Sequence, residues 1–177
     1  TAKKFLKEGA EVIILDKKID MNDCKNHNLF KKCLSLECDL TKKTSINNSL
    51  DKIICKYGGI DVLISNAGAA FQGLMDSVDE SLLRKSFEIN FFSHQNCASE
   101  AVKIMKKQNI NGCLLFNISK QAVNPGKNFG PYGLPKSALL GLCKQYAVDY
   151  GSFGIRSNGV NADRIRSGLM TDKMIRT

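Results

Sequence analysis

A tyrosine and a lysine four residues apart, in Tyr132-Gly133-Leu134-Pro135-Lys136, lie on one face at the start of a helix, about one turn from each other. A phenol with an ordinary pKa near ~10 is a poor base at neutral pH, but a nearby ammonium stabilises the phenolate and lowers that value. Tyr132 can then exchange a proton with an alcohol or a carbonyl. Taken alone the spacing also fits a solvated helix face, so the surroundings decide. Ser119 stands thirteen residues earlier, before a loop containing Asn124-Pro125-Gly126 and Gly130-Pro131. Its hydroxyl can reach the same pocket and stabilise charge on a reacting oxygen. Asn90 falls inside a helical stretch, where an uncharged amide has little structural reason to replace Leu or Ala, and it can hold a water beside Lys136.

The elements that must position these groups follow from the hydrophobic pattern. Val12-Ile13-Ile14-Leu15 is a short β-branched run ending on Asp16, and further strand candidates run over 33–38, 60–65, 112–119 and 155–161. Between them, residues 45–56, 77–107 and 132–150 carry apolar side chains at three-to-four spacing. The middle stretch reads as two helices broken near Ile89-Asn90-Phe91. Pro135 is tolerable if it stands in the first turn of its helix, where no backbone donor is needed. Alternation of this kind predicts an α/β fold, a doubly wound parallel sheet of Rossmann type covered by helices on both faces. The reading is one domain over 1–177.

Thr1 to Gly9 fits the last turns of an amphipathic helix capped by Gly9, and Thr171 to Thr177 starts another helix. Both ends therefore read as cut from a longer protein, so that the fold is expected to be partial.

In an open parallel sheet, ligands bind at the carboxyl ends of the strands. Those ends carry Asp16, then Asp39, then Asn66-Ala67-Gly68, then Ser119. A carboxylate in the place of Asp16 accepts both ribose hydroxyls of an adenosine and repels a 2′-phosphate, which favours NAD over NADP. Asp16 as a surface turn residue stands beside that reading, and Lys17 next to it can tolerate a phosphate.

Composition narrows the class. Of 177 residues, 43% are hydrophobic and 24% charged, the balance of a globular domain. The net charge of +9 comes from 26 Lys and Arg against 17 Asp and Glu. Its lysines occur as scattered pairs such as Lys31-Lys32 and Lys106-Lys107, without the arginine and aromatic stripe of a nucleic-acid reader, so no nucleic-acid partner is expected. Seven cysteines form no Cys-x-x-Cys pair and read as reduced thiols in a cytoplasmic protein. Cys97, Cys113 and Cys143 lie in apolar stretches as small core residues. His27 and His94 have no partners at metal spacing, so no metal is expected. No apolar run reaches the ~18 residues of a membrane span.

The ordered set of motifs resembles the short-chain dehydrogenase/reductase family over nearly the whole chain. By that resemblance Asp16 is the acidic residue selecting NAD, and Asp39-Leu40 is the adenine-contacting pair. Ser65-Asn66-Ala67-Gly68 is similar to the family's Asn-Asn-Ala-Gly segment flanking the adenosine. Asn90, Ser119, Tyr132 and Lys136 resemble the catalytic tetrad, which implies that Tyr132 is the acid/base, that Lys136 binds the nicotinamide ribose and lowers the tyrosine pKa, that Ser119 orients the carbonyl and that Asn90 anchors a relay water. Ser167 falls where a family threonine contacts the nicotinamide carboxamide. The stretch 119–132 is also similar to the dehydrogenase part of bifunctional aldolase/short-chain dehydrogenases, which act on lactaldehyde-like substrates. Family members commonly form dimers or tetramers.

The sequence departs from the family in two places. Its glycine-rich Gly-x-x-x-Gly-x-Gly turn and first strand are absent. In the sheet order 3-2-1-4-5-6-7 that strand stands in the middle, so the strands ending at Asp16 and Cys38 are expected to separate from the rest, leaving exposed edges and a weakly stable chain. After the last strand the family's Pro-Gly is replaced by Ala162-Asp163-Arg164-Ile165-Arg166-Ser167. The charges there read either as binders of a carboxylate or phosphate or as surface salt bridges. Lys120 faces either the pocket or solvent. The expected function is hydride transfer between NAD(H) and a secondary alcohol or its carbonyl on a small molecule. The alternative is a noncatalytic dinucleotide-sensing module, against which the intact proton machinery speaks.

Overall fold

The computed structural model describes residues 1–19, 33–163 and 165. Asp16, Asp39, Leu40, Asn66, Ala67, Gly68, Asn90, Ser119, Tyr132 and Lys136 all lie among them; Arg164, Arg166 and Ser167 lie outside the described residues. The chain divides into two compact units, Thr1–Gly58 and Gly59–Thr177.

In the first unit, helix α1 (Ala2–Lys7) is capped by Glu8, one residue before the Gly9 expected to cap it, and Gly9, at φ +86°, lets the chain turn back. Strands β1 (Ile13–Asp16) and β2 (Leu34–Glu37) pair in parallel, with Ile13 opposite Leu34 and Asp16 opposite Glu37. Helix α2 (Lys43–Tyr57) buries Ile46, Ser49, Leu50 and Ile53, residues at helical spacing on one face. Gly58, at φ +82°, terminates it.

The second unit is built on a parallel sheet of β3 (Val62–Ser65), β4 (Cys113–Asn117) and β5 (Arg156–Val160), in that spatial order. Leu114 and Phe116 of the central strand are fully buried, packed with Ala98, Ala101, Val102 and Met105 of α4 (Ser93–Gln108) and with Leu139, Cys143 and Tyr146 of α5 (Gly130–Tyr150). Parallel strands joined through helices are the α/β architecture that the alternation predicts. Among the described residues the strands form two sheets, β1-β2 and β3-β4-β5. Cys97 and Cys143 are buried, as expected of core residues, while Cys113 is half-buried on the other face of β4. No helix among the described residues is long and apolar enough to cross a membrane.

Two local expectations are corrected. The stretch 77–107 does not break at Ile89-Asn90-Phe91. Helix α3 (Glu80–Phe87) continues into a wider π-helical turn over Glu88–Phe92 and then into α4, with right-handed helical backbone at each junction. A single wide turn re-aims the side chains it carries, and such turns concentrate at functional sites. Helix α5 starts at Gly130, so Pro135 is its sixth residue and stands past the first turn. Proline has no N–H to give the carbonyl four residues back, that of Pro131.

Candidate active site

Four side chains gather near the ends of β3 and β4 in the second unit. Ser119 follows β4 and caps a 3₁₀ turn over Lys120–Ala122, its Oγ accepting the Gln121 N–H at 3.2 Å. The loop beyond folds back through Gln121, whose side-chain oxygen accepts the Gly126 N–H at 2.6 Å. Helix α5 begins against this turn. A Cβ on Gly133 would stand 3.1 Å from the Gln121 carbonyl oxygen, so glycine permits the close approach. Ser137 adds a bond from its hydroxyl to Ala122 O at 2.9 Å. The turn and the helix start are thus tied together, which brings Ser119 and Tyr132 within hydrogen-bond reach of each other.

Lys136 is buried, at 2% exposure. Its Nζ donates to the backbone oxygen of Asn117 at 2.9 Å and lies 5.9 Å from the centre of the Tyr132 ring. Burial lowers its pKa to about 8. The Tyr132 phenol is raised by burial, with the Ser119 hydroxyl pulling it back down. The sequence leads one to expect the Lys136 ammonium to set the phenol's pKa; in the structure desolvation is the larger influence.

Asn90 is fully buried in the π-helical turn. Its Nδ2 donates to Ala69 O at 2.9 Å and to Ser86 Oγ at 3.0 Å, and its Oδ1 accepts the Ala69 N–H at 3.1 Å. The side chain therefore grips the segment that follows β3. A Cβ on Gly68 would lie 3.1 Å from Asn90 Oδ1 and 3.7 Å from Lys136 Nζ, so the segment passes close to both at that glycine. Asn66 accepts a bond from Asn117 Nδ2 to its Oδ1 at 2.8 Å.

In the first unit, Asp16 ends β1 and its Oδ1 accepts the Lys18 N–H at 3.2 Å. Asp39 accepts the Thr41 hydroxyl at 2.7 Å and the Thr41 N–H at 3.1 Å, and pairs with Lys17 Nζ at 3.2 Å. The Thr41 bonds, with a smaller contribution from Lys17, hold its carboxyl down to about 2. Leu40 beside it is half-buried. Lys120 turns to Asp163, 3.8 Å away, and both remain partly exposed.

Asn117 has no role in the sequence-based expectations, and His94 enters them only as a histidine without partners at metal spacing. Asn117 joins Lys136 through its backbone and Asn66 through its side chain; an amide closing the apolar run Cys113 to Phe116 was the available signal. His94, four residues after Asn90, is buried beside the same segment: its Nδ1 and Ser65 Oγ share a hydrogen bond of 2.7 Å.

A family model described as enoyl-(acyl carrier protein) reductase matches residues 1–174. The chain belongs to the short-chain dehydrogenase/reductase family. Within that family, it is 32% identical over 180 residues to a short chain aldehyde dehydrogenase of Euphorbia lathyris, with 96% of this chain and 60% of that protein covered. The ligand-free aldohexose dehydrogenase of Thermoplasma acidophilum superposes with a TM-score of 0.82 at 30% identity, covering 95% of this chain and 62% of that one. The structure of ElxO with NADP bound superposes at 0.87 with 25% identity, covering 98% and 69%. The chain thus spans about three fifths of the length of the first two short-chain dehydrogenase/reductase relatives.

Proposed function

We propose that the protein carrying this chain is an NAD-dependent dehydrogenase/reductase that moves a hydride between the nicotinamide and a secondary alcohol or its carbonyl on a small, sugar-derived hydroxyaldehyde or polyol. The observation that carries this reading is the Tyr132 phenol within hydrogen-bond reach of Ser119, with the buried Lys136 amine beside its ring.

The donor set fits a dinucleotide. An ammonium has three N–H bonds and Asn117 takes one from Lys136, so the same nitrogen can donate to ribose hydroxyls. Asp16, exposed at the end of a parallel strand, suits an adenosine ribose, and Asp39-Leu40 and Asn66-Ala67-Gly68 would contact the adenine side. A bound nicotinamide dinucleotide supplies or accepts the hydride. The work left to the chain is proton chemistry. Ser119 donates to the reacting oxygen and orients it, and Tyr132 gives or takes its proton. Lys136 binds the ribose and stabilises the phenolate form, and Asn90 fixes the floor of the site through Ala69. Ser167 is proposed to contact the carboxamide.

NAD is favoured over NADP because the Asp16 carboxylate would repel a 2′-phosphate, and Lys17 is held by Asp39. The aldohexose dehydrogenase likeness supports a sugar-derived substrate. Assembly as a homodimer or homotetramer belongs to the same proposal.

The test uses the protein expressed from its complete reading frame, following reduced nicotinamide with NAD and NADP against lactaldehyde, polyols and hydroxy acids. Turnover with NAD is expected, and Tyr132→Phe should lower kcat by roughly 10³-fold, within the range for loss of a general acid/base. Full activity in Tyr132→Phe would reject the reading.

A further inference from the structure

One buried titratable side chain takes no part in the proton chemistry. His94 sits in the first turn of α4 at 1% exposure, its ring tilted against Phe116 with centroids 6.5 Å apart. Its Nε2 is buried without a hydrogen-bond partner among the described residues. A leucine or phenylalanine would fill that space without orphaning a ring nitrogen. The bond of Nδ1 to Ser65 is what an apolar residue cannot supply. Ser65 is itself buried, at 7% exposure, with its hydroxyl bonded to the ring.

The position of the bond gives its meaning. Ser65 closes β3 and opens the segment Asn66-Ala67-Gly68, while Ala69 closes that segment. His94 holds the first end and Asn90, four residues before it, holds the second. Two side chains of one helical stretch therefore fix both ends of a five-residue segment whose fourth residue, Gly68, lies near Lys136.

We propose that His94 is a positioning residue for Ser65-Asn66-Ala67-Gly68, holding it through Ser65 in the conformation that receives the adenosine side of the dinucleotide. This rests on the dinucleotide reading above. Because the bond to Ser65 runs through Nδ1, an asparagine, whose amide lies at a similar distance from the backbone, can replace it there.

The test measures NADH affinity by fluorescence in the protein from its complete reading frame, with a thermal melt on each variant. His94→Leu is expected to weaken NADH binding about tenfold, the scale of one lost hydrogen bond, and His94→Asn to restore it to within about threefold. Ser65→Ala should weaken it as His94→Leu does, and the double variant should bind no worse than His94→Leu. A folded His94→Leu with unchanged affinity, or additive effects in the double variant, would overturn the proposal. Should His94→Leu not fold, Ser65→Ala decides: unchanged affinity rejects the role. If the unaltered protein binds neither NADH nor NADPH, the dinucleotide reading falls and this inference falls with it. Failure at the variants alone rejects only the inference.

Discussion

Asn90 makes two hydrogen bonds to the backbone of a single residue, Ala69, accepting its N–H at 3.1 Å and donating to its C=O at 2.9 Å. Both polar groups of that peptide position are satisfied by one side chain, and the second hydrogen of the amide goes to Ser86 Oγ at 3.0 Å. Asn90→Leu would leave these groups without partners in a buried place. A loss of roughly 2–4 kcal/mol in urea unfolding is expected, from unsatisfied groups at about 1–3 kcal/mol each with partial relaxation. The kcat should fall at least about tenfold as the segment shifts under Lys136. An Asn90→Leu protein of unchanged stability would show that the two bonds carry no weight.

Gly68 offers a gentler displacement. Its backbone is not in the left-handed region, so alanine is conformationally permitted, yet a Cβ there would press on Asn90 Oδ1 at 3.1 Å and touch Lys136 Nζ at 3.7 Å. Gly68→Ala should therefore lower kcat about tenfold while shifting the melting temperature by only a few degrees, since the crowded atoms are those proposed to bind the ribose and stabilise the phenolate. Equal loss of stability and activity would point to global damage instead.

The pH dependence of stability follows from Lys136 and Tyr146. Burial lowers Lys136 from 10.5 to about 8, so between those values the unfolded chain binds the proton that the folded chain has released. Stability contributed by this group therefore rises with pH from about 8 to 10.5, by up to roughly 3 kcal/mol. Below pH 8 the lysine is charged in both states and the burial penalty is constant. Burial raises Tyr146 from 10.0 to about 12, so above pH 10 the unfolded chain loses its phenolic proton first and stability falls toward pH 12. Urea unfolding across pH 7 to 11 should show the rise, and Lys136→Met should abolish it. A rise that survives in Lys136→Met would assign it to another group.

Much of the architecture was legible because it depends on local pattern. Burial at Ile46, Leu50 and Ile53 follows helical spacing, and the apolar runs expected over 12–15, 60–65 and 112–119 became parallel strands, the last of them ending at Asn117, two residues short of Ser119. What local pattern misread was backbone detail. Nothing in Ile89-Asn90-Phe91 distinguishes a helix end from a wider turn within a continuing helix, and the start of α5 at Gly130 put Pro135 deeper than the sequence suggested.

Residue order settles which groups can do chemistry: a phenol and an amine one helical turn apart, a hydroxyl before their loop, and carboxylates at strand ends. These follow from residue type and short spacing, which the chain carries with it into any fold. What each group bonds to is settled by the packed fold. Lys136 reaches the carbonyl of Asn117, Asn90 reaches Ala69, and His94 reaches Ser65, pairs separated by 19, 21 and 29 residues. Such partners are chosen by the packing of helices onto the sheet, which brings distant segments within 3 Å and excludes water from between them. That exclusion of water lowers the lysine and raises the tyrosine, and neither shift is visible in residue order.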